Sequence, residues 1–203
     1  RMKDNSFNNI EINDSNDYER IIDIVKEKSI MLLGRAGVGK TYVLNKIQEE
    51  YGNKCIALAF TNKATNNLGG QTIHNCIGID GDGKINAKYY HSKLSNVEVI
   101  IVDEISMLNI ELWKIFEMIK HTKPNIRFVL SGDYRQLPPI EEDGLYDYFN
   151  HPVIKYICDY NRIELTKVKR YDNELYEFSE KVWNNTINKE DIKSMTNNDA
   201  KLI

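Results

Sequence analysis

The residues from Gly34 to Thr41 carry the clearest chemistry in the sequence. They lie between an apolar run that ends at Leu33 and a helical pattern that begins at Tyr42. Glycines let the backbone turn its N–H groups toward an anion, and a helix start adds unpaired N–H groups and a positive dipole end. A chance glycine-rich turn would not need a strand before it and a helix after it. The stretch therefore predicts a phosphate-binding loop made of Gly34, Arg35, Ala36, Gly37, Val38, Gly39, Lys40 and Thr41.

Two side chains of this loop indicate a nucleoside triphosphate with Mg²⁺. Lys40 can reach the β and γ phosphates, and the Thr41 hydroxyl can ligate Mg²⁺. Asp103 and Glu104 follow the apolar run 97–102, at the end of a strand where open parallel sheets bind their ligands. We assign Asp103 to the metal and Glu104 to the general base. Taken alone, the pair could also open a solvated acidic loop.

Residues 131–139 follow the next predicted strand and reach the same edge of the sheet. They read Ser-Gly-Asp-Tyr-Arg-Gln-Leu-Pro-Pro. The amide of Gln136 can donate to a phosphate oxygen and accept from water, so it could report the presence of the γ phosphate. From the residues alone, a rigid surface turn is an equal interpretation, because the two prolines stiffen the chain.

Apolar periodicity predicts alternating strands and helices along most of the chain. Short, nearly continuous apolar strands between amphipathic helices indicate an α/β fold with a mostly parallel central sheet covered on both faces. The predicted helices are 17–28, 42–51, 63–68, 110–119, 145–149 and 173–183, and the predicted strands are 30–33, 54–60, 97–102, 126–130 and 162–166. Outside them we expect a loose tail at 1–16, a loop or hairpin insertion at about 78–96 and a polar tail at 186–203.

Composition narrows the range of functions. The formal net charge of -3 over 203 residues argues against a protein that coats nucleic acid by bulk attraction, so any such contact must be a local groove. Three cysteines at wide spacings, with no CxxC pair, predict reduced thiols rather than a disulfide framework or a zinc site. No apolar run approaches the roughly 20 residues of a membrane span. We therefore expect an intracellular protein without a membrane partner.

The order of several motifs resembles superfamily 1B DNA helicases, within the Pif1/RecD/Dda group. The phosphate loop is shared with many NTPases, whereas the Gly-Asp-x-x-Gln-Leu-Pro-Pro run and the Thr-Ile-His triplet are much more specific. The resemblance covers about residues 17–185. It rests on the phosphate loop and on residues 61–64, 72–74, 101–107, 132–139 and 165–170.

The resemblance implies a P-loop NTPase domain with a RecA-like three-layer sandwich. In such helicases two RecA-like domains enclose ATP with Mg²⁺ and move 5′ to 3′ on single-stranded DNA. Carried over residue by residue, Lys40 and Thr41 bind phosphate and Mg²⁺, Asp103 and Glu104 act as assigned above, and Gln136 senses the γ phosphate. Arg170 would stabilise charge on that phosphate, although the local sequence shows only a basic strand end.

The resemblance also implies a single-strand DNA groove. Hydroxyls and amides can contact phosphates, and an aromatic ring can stack on any base. His74 in isolation would more often be a buried core histidine, whereas the motif makes it a DNA contact. The implied DNA-facing residues are Phe60, Thr61, Asn62, Lys63, Thr72 and His74.

Three departures from the family pattern qualify these expectations. Asp17, Tyr18 and Glu19 stand where relatives usually keep a glutamine that reads adenine, and Phe60 replaces a frequent proline. Nothing after Arg170 resembles a second RecA-like domain. We therefore expect a monomeric motor domain that binds single-stranded DNA and hydrolyses ATP weakly without unwinding. A P-loop kinase and a non-catalytic nucleotide-dependent switch that binds DNA or a protein are the alternatives.

Overall fold

The computed structural model describes residues 6–59, 70–73, 76, 78, 92–133, 150–169, 181–182 and 186–189. Its strands are β1 (Asn8–Ile10), β2 (Ile30–Leu33), β3 (Cys55–Ala59), β4 (Gln71–Thr72), β5 (Val99–Asp103), β6 (Arg127–Gly132) and β7 (Asn161–Glu164). Its main helices are α1 (Tyr18–Glu27), α2 (Lys40–Tyr51), α3 (Ile110–Thr122) and α4 (Pro152–Ile157). Short 3-10 turns span Ser15–Asp17, Gly52–Lys54 and Ile105–Met107.

The chain divides into two compact units, Arg1–Lys167 and Val168–Ile203. All of the strands and helices named above belong to the first unit. Among the described residues of the second unit, the backbone N–H of Thr186 donates to the carbonyl of Lys181 at 2.8 Å. No described helix is long and apolar enough to cross a membrane.

The strands form one sheet in the order β1-β7-β2-β6-β5-β3-β4, and every described pair is parallel. Parallel strands need right-handed crossovers, so the direction of each step along the sheet decides which face its helix covers. The connections that contain α1 and α2 lead toward the β4 edge of the sheet. Those that contain α3 and α4 lead back toward the β1 edge. Accordingly α1 contacts α2, and α3 contacts α4. This confirms the predicted three-layer α/β architecture.

Burial explains why the strand predictions succeeded in the centre of the sheet. All four residues of β2 are buried, and β5 has four buried residues before the half-buried Asp103. Strands with both faces covered have continuous apolar runs, which stand out in a sequence. The short helix α4 was not predicted. The predicted helices 63–68 and 145–149 lie outside the described residues, as do most of the helix 173–183 and most of the insertion 78–96.

The prediction of a loose tail at 1–16 is wrong for residues 6–16. Strand β1 pairs with β7, and the Phe7 side chain is 9% exposed. Lys155 Nζ and Arg162 Cζ lie 5.2 and 5.0 Å from the centre of its ring. The residue types of Asn8 and Asn9 favour a loop. An edge strand is nevertheless stabilised by backbone hydrogen bonds, and the Asn8 N–H donates to the Tyr160 carbonyl at 2.8 Å.

A polar network joins the amino ends of the strands. Lys120, Ser29 and Asn161 are buried in it, and Asp159 is more exposed. Lys120 Nζ lies 2.7 Å from Ser29 Oγ and 2.7 Å from Asp159 Oδ1. The Ser29 N–H donates to Asp159 Oδ2 at 2.8 Å, and Asn161 Nδ2 donates to the Ser29 carbonyl at 3.1 Å. Ser29 Oγ also accepts from the Phe128 N–H at 3.0 Å. The network therefore ties α3 and the turn before β7 to the start of β2.

The three cysteines are unpaired and act as packing residues. Burial raises the pKa of Cys55 to about 12, of Cys76 to about 11 and of Cys158 to about 12. A thiol with such a pKa stays protonated at neutral pH and is a weak nucleophile. These positions therefore offer no reactive thiolate.

We predict that Lys120→Met lowers the free energy of unfolding by about 1–3 kcal/mol, because it leaves the buried Ser29 hydroxyl and the more exposed Asp159 carboxylate without their cation. Urea unfolding measures the loss. The matched control is Lys114→Met on the same helix, where the lysine is 59% exposed and pairs with Glu111. Exposed pairs contribute less than about 1 kcal/mol, so equal losses in the two variants would contradict a stabilising network.

Candidate nucleotide-binding site

Three candidate functional segments meet at the carboxyl edge of the sheet. The phosphate loop follows β2, Asp103 and Glu104 stand at the end of β5, and Asp133 follows β6. Strand β6 lies between β2 and β5 in the sheet. The three segments are therefore neighbours, and all eight predicted loop residues lie in the connection from β2 into the first turn of α2.

The first residue of the loop is held in a space that only glycine fits. A Cβ on Gly34 would lie 2.6 Å from the Leu165 carbonyl oxygen and 2.7 Å from Val38 Cγ2. The Gly34 N–H donates to the Gly132 carbonyl at 3.2 Å. On the other side, the Leu165 N–H donates to the Leu33 carbonyl at 2.8 Å. The ends of β6 and β7 thus fix where the loop begins.

The last glycine of the loop prepares the helix start for an anion. Gly39 has φ 92 and ψ 21, a left-handed conformation, and it is the N-cap of α2. It supplies no side-chain cap to the N–H groups of the first turn. A helix start without a capping side chain presents those N–H groups and its dipole to a bound anion. Val38 is fully buried and anchors the middle of the loop.

The Lys40 amine lies inside the loop. It donates to the carbonyl of Gly34 and, at 3.1 Å, to the carbonyl of Arg35. Burial lowers the pKa of Lys40, and the nearby carboxylates of Asp133 and Asp103 act in the opposite direction. A bound phosphate would give this partly buried cation a full counter-charge. Thr41, one residue further, is exposed at the helix start.

Asp133 is a site residue that sequence reasoning missed. Its side chain is 6% exposed. Of the two nearby carboxylates, it raises the pKa of Lys40 more than Asp103 does. Its position directly after β6 parallels that of Asp103 at the end of β5. The same rule that pointed to Asp103, an acid at the carboxyl end of a buried strand, would have found Asp133 as well.

The backbone turns sharply at the predicted general base. Glu104 has φ 55 and ψ 42, a left-handed conformation that costs a residue with a side chain about 1–3 kcal/mol. The turn that follows holds it there, since the Met107 N–H donates to the Glu104 carbonyl at 3.0 Å and Ile105 and Ser106 are buried. The strain turns the chain away from the sheet at a half-buried carboxylate, a pattern typical of functional sites.

The structure places the backbone of Thr72 beside the same site. Thr72 on β4 is paired in register with Ala59 on β3, and Ala59 is paired with Asp103 on β5. Thr72 and Asp103 therefore share one level of the sheet, about 10 Å apart across two strand spacings. The other predicted site residues, Phe60, Thr61, Asn62, Lys63, His74, Gln136 and Arg170, lie outside the described residues.

The segment after β7 passes along the start of the chain. The N–H groups of Thr166 and Lys167 donate to the Asn13 carbonyl at 3.0 and 2.9 Å. Lys167 Nζ also pairs with Asp14 at 2.8 Å. Thr166 and Lys167 are therefore anchored to residues 13 and 14.

A parallel sheet with a glycine-rich loop after an inner strand, and acids at the ends of the next two strands on one side, defines a P-loop NTPase with a RecA-like fold. Residues 18–142 match the family model described as an AAA domain, and the chain belongs to that family. The chain also resembles Pif1-like helicases of superfamily 1B, as its motifs indicated.

Among curated proteins, the chain is 30% identical over 183 residues to the ATP-dependent DNA helicase Pif1 of Campylobacter jejuni, covering 77% of this chain and 40% of that protein. It is 31% identical over 192 residues to the ATP-dependent DNA helicase RRM3 of Saccharomyces cerevisiae, covering 78% of this chain and 26% of that protein. The chain thus spans less than half the length of these relatives.

Solved structures show the same fold. Bacteroides Pif1 bound to ssDNA superposes with a TM-score of 0.72 at 24% identity, covering 92% of this chain and 50% of that one. Bacteroides sp Pif1 in complex with ADP-AlF4 gives a TM-score of 0.63 at 26% identity, covering 87% of this chain and 47% of that one. The RecA-like fold predicted from the motifs is therefore confirmed.

We predict that Gly34→Ala weakens nucleotide binding by about tenfold or more, a loss of at least about 1.4 kcal/mol, because the added Cβ would displace either Leu165 or Val38. Equilibrium binding of a fluorescent nucleotide measures the effect. Gly52→Ala is the matched control, since Gly52 has φ 53 but no atom within 4 Å of an added Cβ. Unchanged binding in Gly34→Ala would show that the loop tolerates a shift at its first residue.

Proposed function

We propose that this domain is the ATP-hydrolysing motor of a superfamily 1B DNA helicase that moves 5′ to 3′ on single-stranded DNA. The observation that carries the proposal is the meeting of the phosphate loop, the partly buried Lys40 amine and the carboxylates of Asp103 and Asp133 at one sheet edge. A second RecA-like domain of the same protein would complete the cleft.

The donor set at this edge fits Mg²⁺ and a triphosphate. The Thr41 hydroxyl and the Asp103 carboxylate are the hard oxygen donors that Mg²⁺ prefers. When bound, Mg²⁺ neutralises charge on the β and γ phosphates. The N–H groups at the start of α2 and the Lys40 amine bind the phosphates, and the fit of Gly34 against Leu165 keeps them in place.

Glu104 is the residue proposed to accept a proton from the attacking water. It follows the proposed metal ligand Asp103 directly, and its left-handed backbone turns it out of the strand. A carboxylate can take that proton as a general base. In the same proposal, Gln136 reports the γ phosphate and Arg170 stabilises its developing charge.

The register of Thr72 supports the proposal that DNA lies close to the nucleotide. Because Thr72 and Asp103 share one sheet level, a change at the metal ligand has only two strand spacings to cross before it reaches the Thr-Ile-His segment. A strand of DNA would lie along this edge, held by hydroxyls, amides and stacking. The proposed DNA contacts are Phe60, Thr61, Asn62, Lys63, Thr72 and His74.

In this proposal the chain acts as a monomer on intracellular DNA. Unwinding belongs to the full-length protein, because a strong stabiliser of the transition state in NTPases is often an arginine supplied by a second domain or partner. This domain alone would hydrolyse ATP slowly.

The decisive experiment is the rate of ATP hydrolysis by the full-length protein, and by this domain, with and without single-stranded DNA. We expect single-stranded DNA to stimulate hydrolysis, and duplex DNA without a single-stranded end to stimulate it less. Transfer of phosphate to a small acceptor would support a kinase. Nucleotide binding without any hydrolysis in the full-length protein would support a switch. Either result would overturn the motor.

We predict that Glu104→Gln keeps nucleotide affinity within about twofold but lowers turnover in the full-length protein by about 100-fold or more, since it removes the base and leaves the metal ligand in place. Stopped-flow phosphate release measures turnover. Glu111→Gln is the matched control, because that glutamate is exposed on α3 and pairs with Lys114. Normal turnover in Glu104→Gln would exclude its role as the base.

A further inference from the structure

Two tyrosines and a lysine form a partly exposed cluster at the helix start that follows the phosphate loop. Tyr18 is the first residue of α1, and Tyr42 follows Thr41 in the first turn of α2. Their rings lie edge to face, with centroids 5.6 Å apart and planes at 88°. Lys46 Nζ lies 5.8 Å from the centre of each ring. We call these three residues the tyrosine platform.

The hydrophobic core does not account for this platform. The residues that α2 buries are Val43, Leu44 and Ile47, whereas Tyr42 is 45% exposed. Tyr18, which holds the Tyr42 ring from the side, is half-buried. Lys46 lies one turn after Tyr42 and is held by Glu49 at 2.6 Å. Helix α2 thus exposes the oriented Tyr42 ring to solvent in its first turn, next to the N–H groups proposed to bind phosphate.

Tyr42 directly follows Thr41, the last residue of the phosphate loop. If the loop and Thr41 hold the phosphate chain, a ribose and base that extend along the start of α2 would meet the next residue of the helix. That residue is Tyr42. Aromatic rings stack on the flat face of a nucleobase, and a cation close to the rings strengthens such a site.

The platform also explains how a base could be held without the family's adenine-reading glutamine. Asp17, Tyr18 and Glu19 occupy that region here. Stacking is tolerant of base identity, because every base has a π face. A site that stacks on a base without hydrogen-bonding to its edge binds purines more tightly than pyrimidines. It does not distinguish adenine from guanine.

We propose that Tyr42, supported by Tyr18 and Lys46, is the base-stacking surface of the nucleotide site, so that this protein takes purine nucleoside triphosphates with little preference for adenine. The inference rests on the proposed nucleotide function and specifies the substrate class of that site. It makes Tyr42 a specificity residue that contacts the base, with Tyr18 and Lys46 as positioning residues.

The test compares the affinities of the full-length protein for Mg²⁺ complexes of ATP, GTP, CTP and inorganic tripolyphosphate. In the wild type we expect ATP and GTP to bind within about threefold of each other, and both to bind more tightly than CTP and tripolyphosphate. Tyr42→Ala and Tyr42→Leu should weaken ATP and GTP by roughly tenfold and leave tripolyphosphate unchanged. Tyr42→Phe keeps the ring and should behave as the wild type does.

Tyr156→Ala is the matched control, because Tyr156 is an exposed tyrosine on α4, on the opposite face of the sheet. It should leave all four affinities unchanged. An equal loss of ATP and tripolyphosphate in Tyr42→Ala would overturn the inference, since Tyr42 would then act through the loop. A strong preference of the wild type for ATP over GTP would also overturn it. Failure of the wild type to bind any of the four would instead refute the proposed nucleotide site.

Discussion

The close approach of three strand ends around Gly34 is the constraint on which the rest of the site depends. With the Leu165 carbonyl on one side, Val38 on another and the Gly132 carbonyl accepting its N–H, the start of the loop has no freedom to shift. The position of Gly34 in turn fixes the positions of the Lys40 amine and of the N–H groups at the start of α2. A phosphate site needs such preorganisation, because a loop that must rearrange loses binding energy to ordering.

The two edges of the sheet divide stability and chemistry between them. At the amino edge, Lys120, Ser29 and Asp159 satisfy one another in a closed network. At the carboxyl edge, Lys40 is partly buried among backbone carbonyls, and Glu104 is held in a strained conformation. Polar groups of the first kind stabilise a fold, whereas those of the second kind keep a site ready for a ligand.

The register of the outer strands places the proposed DNA contact Thr72 close to the proposed metal ligand Asp103. Asp103, Ala59 and Thr72 lie at one level across three adjacent strands. A rigid sheet couples neighbouring strand ends more directly than a flexible loop would. The tyrosine platform lies at the start of α2, so that phosphate, metal, base and DNA would all be met at one edge of the sheet.

The amino-acid sequence by itself determined the central strands, the helices α1, α2 and α3 and the glycine-rich loop, because apolar periodicity and a glycine-rich strand-to-helix turn are local patterns. Only the tertiary structure decided that β1 pairs with β7, that the Asp133 carboxylate comes near Lys40, and that the Tyr18 ring contacts the Tyr42 ring. Each of these depends on residues distant in sequence or on backbone hydrogen bonds, which leave no periodic trace. The polar sequence of the edge strand β1 predicts a loose tail, and only its pairing with β7 shows that it is a strand.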